Sequence, residues 1–189
     1  MVDYKTFKKE YLNEWVDRSL AARKAAEELA MKDGASLRDI YKPEGLIFDL
    51  GGKKIEFKAE NEICPYDDNG LFTWYAAHLK FREPDKDGWR LPTESEMSAL
   101  KNNAPYKFVQ DKDMPYLLMD GRLRLPAEGF EDSKGGNALF FKGETGDYWT
   151  STPLGGMYAI EFKFTEKYVK IDVSSVNTAC SVRLVREVN

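Results

Sequence analysis

From Gly45 onward turn residues cut the chain into short segments, and that punctuation restricts its fold more than any other feature. Leu46-Ile47-Phe48-Asp49-Leu50 and Lys54-Ile55-Glu56-Phe57 flank Gly51-Gly52, while Tyr116-Leu117-Leu118-Met119 and Arg122-Leu123-Arg124-Leu125 flank Asp120-Gly121. Both patterns predict hairpins, because glycine supplies the positive φ that tight two-residue loops require. Asp67-Asp68-Asn69-Gly70 predicts a further turn. Residues 157–164, 168–173 and 182–188 predict the last strands. Within Tyr158–Phe164 the even positions are apolar, so Glu161 and Lys163 are expected to alternate outward. The Gly-, Asp-, Ser- and Asn-rich stretch from Glu131 to Gly146 reads as a long ordered loop.

Helical periodicity comes mainly from the other end. Over residues 4–32, Tyr4, Phe7, Tyr11, Leu12, Trp15, Val16 and Leu20 recur at three- and four-residue steps, which predicts an amphipathic helix closed at Gly34. Its apolar stripe has to be covered, either by its own domain or in a homo-oligomer. A short helix is expected within 72–81. Another follows over 94–102, where Pro92, Thr93 and Glu96 form a capping-box signature. The expected class is therefore α+β, with a helical segment at 1–44 and a domain at 45–189 carrying two short helices and an irregular antiparallel sheet.

The 189 residues are 42% hydrophobic and 13% aromatic, enough for a sizeable core and against global disorder. A net charge of −4 with no Lys/Arg block argues against a nucleic-acid partner. No run approaches the roughly 18 apolar residues of a membrane span. Met1-Val2-Asp3-Tyr4-Lys5 runs straight into charged residues, so no signal peptide is expected.

Cys64 and Cys180 suit one disulfide or two free thiols, and His78 is the single histidine, so neither a catalytic residue nor a metal or other cofactor is expected. Glu83-Pro84-Asp85 reads as a turn. Asp67, Asp68 and Asn69 lack the loop spacing of an EF-hand.

Three separated blocks run in order: Gly88-Trp89-Arg90-Leu91-Pro92-Thr93-Glu94-Ser95-Glu96, Asp147-Tyr148-Trp149-Thr150-Ser151-Thr152, and Ser181-Val182-Arg183-Leu184-Val185-Arg186. Phe72-Thr73-Trp74 precedes them, and Leu123-Arg124-Leu125-Pro126-Ala127-Glu128-Gly129-Phe130 lies between the first two. Together they resemble the C-type-lectin-like domains of gut Bacteroidetes and their phages. Two groups share the pattern: the Fibrobacter succinogenes major paralogous domain and the variable proteins of diversity-generating retroelements. The second block departs by one residue from the commoner Tyr-Trp-Ser-Ser-Thr.

The resemblance implies a C-type-lectin-like fold, no enzymatic activity, and a recognition surface on the C-terminal loops. The partner would be a protein or glycan, met from a phage particle or cell surface. In such proteins diversity concentrates between the Tyr-Trp and Val-Arg blocks. The equivalent solvent-facing positions here are Leu154, Met157, Glu161, Lys163, Thr165, Tyr168, Lys170, Asp172, Ser174, Ser175, Asn177 and Thr178. Trp89, Arg90, Pro92, Trp149 and Arg183 are expected to be scaffold, the tryptophans as core anchors and the arginines as loop ties. Two alternatives stand beside this reading. One is an assembly subunit that uses the N-terminal helix. The other is an oxidase like the formylglycine-generating enzymes, although only Cys180 lies near the C-terminal cysteine pair of that chemistry.

Overall fold

The computed structural model describes residues 46–132 and 138–188. The helix expected over 4–32, and any oligomer built on it, lies outside the described residues. The α+β, lectin-like expectation is corrected: among the described residues strands dominate, with two short helices and four small antiparallel sheets. One sheet orders β1 (Ile47–Asp49), β2 (Lys54–Phe57) and β13 (Val185–Val188) side by side. A second has β10 (Tyr158–Thr165) between β11 (Val169–Ser175) and β9 (Thr145–Gly155). A third runs β3 (Phe72–Thr73), β12 (Thr178–Cys180), β7 (Phe130–Asp132) and β8 (Ala138–Phe140). The fourth is β4 (Tyr106–Val109), β5 (Tyr116–Met119) and β6 (Leu123–Pro126).

Local chemistry accounts for the elements that the sequence marked. Gly51 and Gly52 hold φ of 74° and 89° between β1 and β2, and Asp49 Oδ1 accepts the Gly52 amide at 2.8 Å. Helix α1 (Trp74–Phe81) is capped by Thr73, whose hydroxyl accepts the Ala76 amide. Helix α2 (Glu94–Asn103) starts in a full capping box between Thr93 and Glu96. Arg90 then grips Glu96 with both arms, at 2.9 and 2.6 Å. Burial pushes the Glu96 carboxyl up, but Arg90 and the Thr93 amide outweigh it and hold the group below its ordinary value. The expected loop at 131–146 is a correction too, since β7, β8 and the start of β9 lie in it. Strands of three residues are too short for alternation to show.

The three sequence blocks meet in space through their backbones. Arg90 and Val185 exchange both N–H···O bonds at 2.9 Å, Ser151 donates to Pro92, and Trp149 donates to Ser181, which donates to Asp147. Trp149 is fully buried, and its indole donates to the Phe72 carbonyl at 2.7 Å. Trp74 likewise donates to Thr150 at 2.9 Å. The second sheet contributes to a core on each side. Tyr148, Phe162 and Phe164 join a core with Phe57, Leu100 and Leu125. Trp149 and Ala159 join another with Phe72, Leu91 and Val182.

Arg183 fastens these parts together. It is 1% exposed. Its Nε donates to Asn61 Oδ1 at 2.8 Å, Nη1 to the carbonyls of Lys58 and Ala59, and Nη2 to the Arg124 carbonyl at 3.1 Å. Asn61 passes the network on to Glu128 (2.7 Å) and to the Tyr148 hydroxyl, and Glu128 also accepts from Ser181 (2.6 Å). Burial pushes the Tyr148 phenol well up, so it stays protonated and donates to the Pro126 carbonyl at 2.8 Å. Replacing Arg183 with Met leaves three carbonyls and Asn61 Oδ1 without this donor, and should cost about 3–5 kcal/mol. Urea unfolding checks this: a loss below about 1 kcal/mol would show that the network is dispensable.

Candidate recognition surface

Strand β10 does not carry Glu161 and Lys163 outward as alternation suggested. Glu161 is 2% exposed and faces inward. Ser181, Cys180 and Phe130 come from segments packed over that side, so both faces of β10 are covered. Lys163 is half-buried, with its ammonium bonded to Asp147, 3.6 Å from Glu161 Oε1 and 5.1 Å from the centre of the Phe130 ring. Asp147 is itself buried and accepts the Thr145 hydroxyl at 2.7 Å. Cys180 Sγ donates to Glu161 Oε2 at 3.6 Å.

Charge counting sets the protonation of this cluster. Lys163 neutralises Asp147, which leaves Glu161 without a counter-charge of its own. Burial first, then repulsion from Asp147, raises the Glu161 carboxyl from 4.5 to about 7, against an opposing pull from Lys163. Burial and the two carboxylates also hold the Cys180 thiol well above its ordinary value. A neutral, fully buried thiol is a poor nucleophile. Cys64 is likewise buried and unpaired. His78 stacks on Trp74 with centroids 4.2 Å apart, and burial lowers its pKa. Among the described residues, no group of three or more His, Cys, Asp or Glu is placed to hold a metal ion.

The remaining candidate residues separate into three places. Leu154 and Met157 project at the β9–β10 turn, and Ser174, Ser175, Asn177 and Thr178 surround the β11–β12 turn at the same end, since Tyr158 pairs with Ser175. Thr165 and Tyr168 lie at the opposite end of the β10–β11 hairpin. Lys170 and Asp172 pair with each other at 2.6 Å along β11, an edge strand. The sequence reading omitted Tyr158 and Val173, both substantially exposed at the first end. It also gave no site role to Asp147, the first residue of the second block, and weighed Cys180, next to the third, only as a thiol.

The expected scaffold residues lie away from this end or beneath it. Trp89 is half-buried between two cations, with the Arg186 guanidinium 4.5 Å and the Lys58 ammonium 5.4 Å from its ring centre. Pro92 supplies the carbonyl that holds Ser151. Asp85, in the Glu-Pro-Asp turn, accepts the Asp87 and Trp89 amides at 2.9 Å through one oxygen. No helix among the described residues is long and apolar enough to cross a membrane. No family model, curated protein or solved structure matches the chain.

The raised Glu161 fixes the sign of a pH effect. The folded chain holds a proton that the unfolded chain releases, so stability falls as pH rises from 4.5 towards 7 and levels off above it, by roughly 3 kcal/mol in all. Glu161→Gln should remove that component and exceed the parent in stability at pH 8. Urea midpoints for both chains at pH 5 and 8 test it. Parallel pH profiles would mean Glu161 carries no such linkage.

Proposed function

We propose that the chain is a non-enzymatic binding module that recognises a protein or glycan on a cell surface. The contact is made by the end of the sheet where the β9–β10 and β11–β12 turns lie together. The observation that carries this reading is an apolar tip on a fixed frame. Leu154, Met157, Tyr158 and Val173 are 57%, 53%, 54% and 44% exposed, although residues 159–162 of β10 behind them are buried on both faces. Neighbouring apolar groups left in water mark contact surfaces, and Tyr and Met are enriched in them. Ser174, Ser175 and Asn177 border the tip with small polar groups able to adapt their hydrogen bonds.

The likeness of the motif blocks to those of variable proteins supports a further part of the reading, that this end is diversified. Side chains at the tip can change without touching the Arg183 network or the Asp147–Lys163 pair. Glu161 and Lys163 cannot, and they drop out of the surface. Sequencing the codons between Tyr148 and Val182 across natural isolates should find substitutions at 154, 157, 174, 175 and 177 with 161 and 163 constant. Variation spread evenly over both groups would contradict it.

Binding itself is tested with fluorescently labelled chain on intact gut bacterial cells. Leu154→Asp combined with Met157→Asp should lower cell binding at least tenfold and leave the melting temperature unchanged. Undiminished binding by this variant would remove the tip as the contact surface.

A further inference from the structure

A row of cross-strand partners runs over the outer face of the third sheet. Thr73 of β3, Ala179 of β12 and Glu131 of β7 lie directly opposite one another, so their side chains share a face. The middle one is only a methyl group, which leaves a notch between its taller neighbours. The 64–71 loop and Asn177 wall that notch into a cavity of about 280 Å³. That volume is just under the roughly 300 Å³ lower end of ordinary ligand pockets, the scale of a single six-membered ring.

The lining is sorted by polarity. Leu71, Ala76 and Ala179 give an apolar floor, and Asp67, Glu131, Thr73 and Asn177 place hydrogen-bonding groups around it. At the rim Tyr66 is 96% exposed, an aromatic ring with no packing role in the fold. From this arrangement the geometry points to a subsite for one neutral saccharide ring, its C–H face on Tyr66 and its hydroxyls on Asn177, Thr73 and the carboxyls. The inference rests on the reading of the chain as a binding module, and Asn177 joins the cavity to the proposed tip.

Groups of the 67–71 turn already occupy one oxygen of each carboxyl. Asp67 Oδ1 already accepts the amides of Asn69 (3.0 Å) and Leu71 (2.8 Å). Glu131 Oε1 accepts the Asn69 side-chain amide. Burial, with the charges of Asp67 and Asp68 nearby, pushes the Glu131 carboxyl up from its ordinary value. That leaves Asp67 Oδ2 and Glu131 Oε2 to accept from O–H donors.

The test is an amide-shift titration of the full chain with D-mannose, D-galactose, N-acetylglucosamine and L-fucose, each to tens of millimolar. At least one sugar should move the amides of Asn69, Leu71, Thr73 and Asn177. Tyr66→Ala should then weaken that sugar at least tenfold with an unchanged melting temperature, and Ala179→Leu should fill the notch and abolish binding. No sugar shifting these amides overturns the inference, and so does a Tyr66→Ala chain that binds as the parent does. A response to lysine amide alone would also overturn it and assign the cavity to cations. Cell binding through the tip with no sugar response leaves the binding reading intact and removes only the saccharide. A sugar response with cell binding unaffected by the tip variant does the reverse.

Discussion

A guanidinium shut away from water must have its N–H groups answered by the protein, and Arg183 draws those answers from separate stretches of chain. Carbonyls at Lys58 and Ala59 belong to the segment leaving β2, the Arg124 carbonyl belongs to β6, and Asn61 relays to Glu128 and Tyr148. None of the four sheets has more than four strands. Sheets so small, with strands of two to four residues in three of them, do not stand alone in water. The buried cation makes their relative placement specific, because a shift of any one stretch strands a charge or a carbonyl. That is the expected use of a buried ionic group, whose contribution lies in specificity more than in net stability.

A second buried charge cluster lies under the proposed contact end and has a different balance. In the Arg183 network the hydrogen-bonding groups of the cation are matched. In the Asp147–Lys163–Glu161 group one carboxyl is in excess and is held near neutrality by its surroundings. The frame therefore has its least stable point at Glu161 when the solution is alkaline, beside Cys180 and close to the strands that end in the tip. Tip and frame divide the labour. Leu154, Met157 and Asn177 face water, while residues two to seven positions away along the strands hold the sheets together.

Local signals in the sequence were legible, and long-range ones were not. The Gly51-Gly52 and Asp120-Gly121 hairpins and the Thr93–Glu96 capping box depend on four to ten neighbouring residues, and all are present. Strands β3, β7, β8 and β12 have two or three residues each, so they carried no period and part of this region passed for loop. The weight given to helices then produced an α+β class that the described residues do not have. Glu161 failed for a related reason. Alternation says which residues share a face, but not that both faces are covered, and only tertiary packing places Cys180 over it. Of the positions expected to face solvent, Leu154, Met157 and Asn177 are exposed and Glu161 is buried.

Amide hydrogen exchange followed against urea tests most directly whether one buried network holds the small sheets as a single frame. The informative amides bond between elements: Lys58 to Leu184, Glu62 to Val182, Trp149 to Ser181 and Ser181 to Asp147. They are expected to exchange only through global unfolding, with the same free energy and urea dependence as the central amides of β10. Exchange of these four at a markedly lower free energy, while β10 stays protected, would mean that the sheets open independently and that Arg183 does not bind them into one unit.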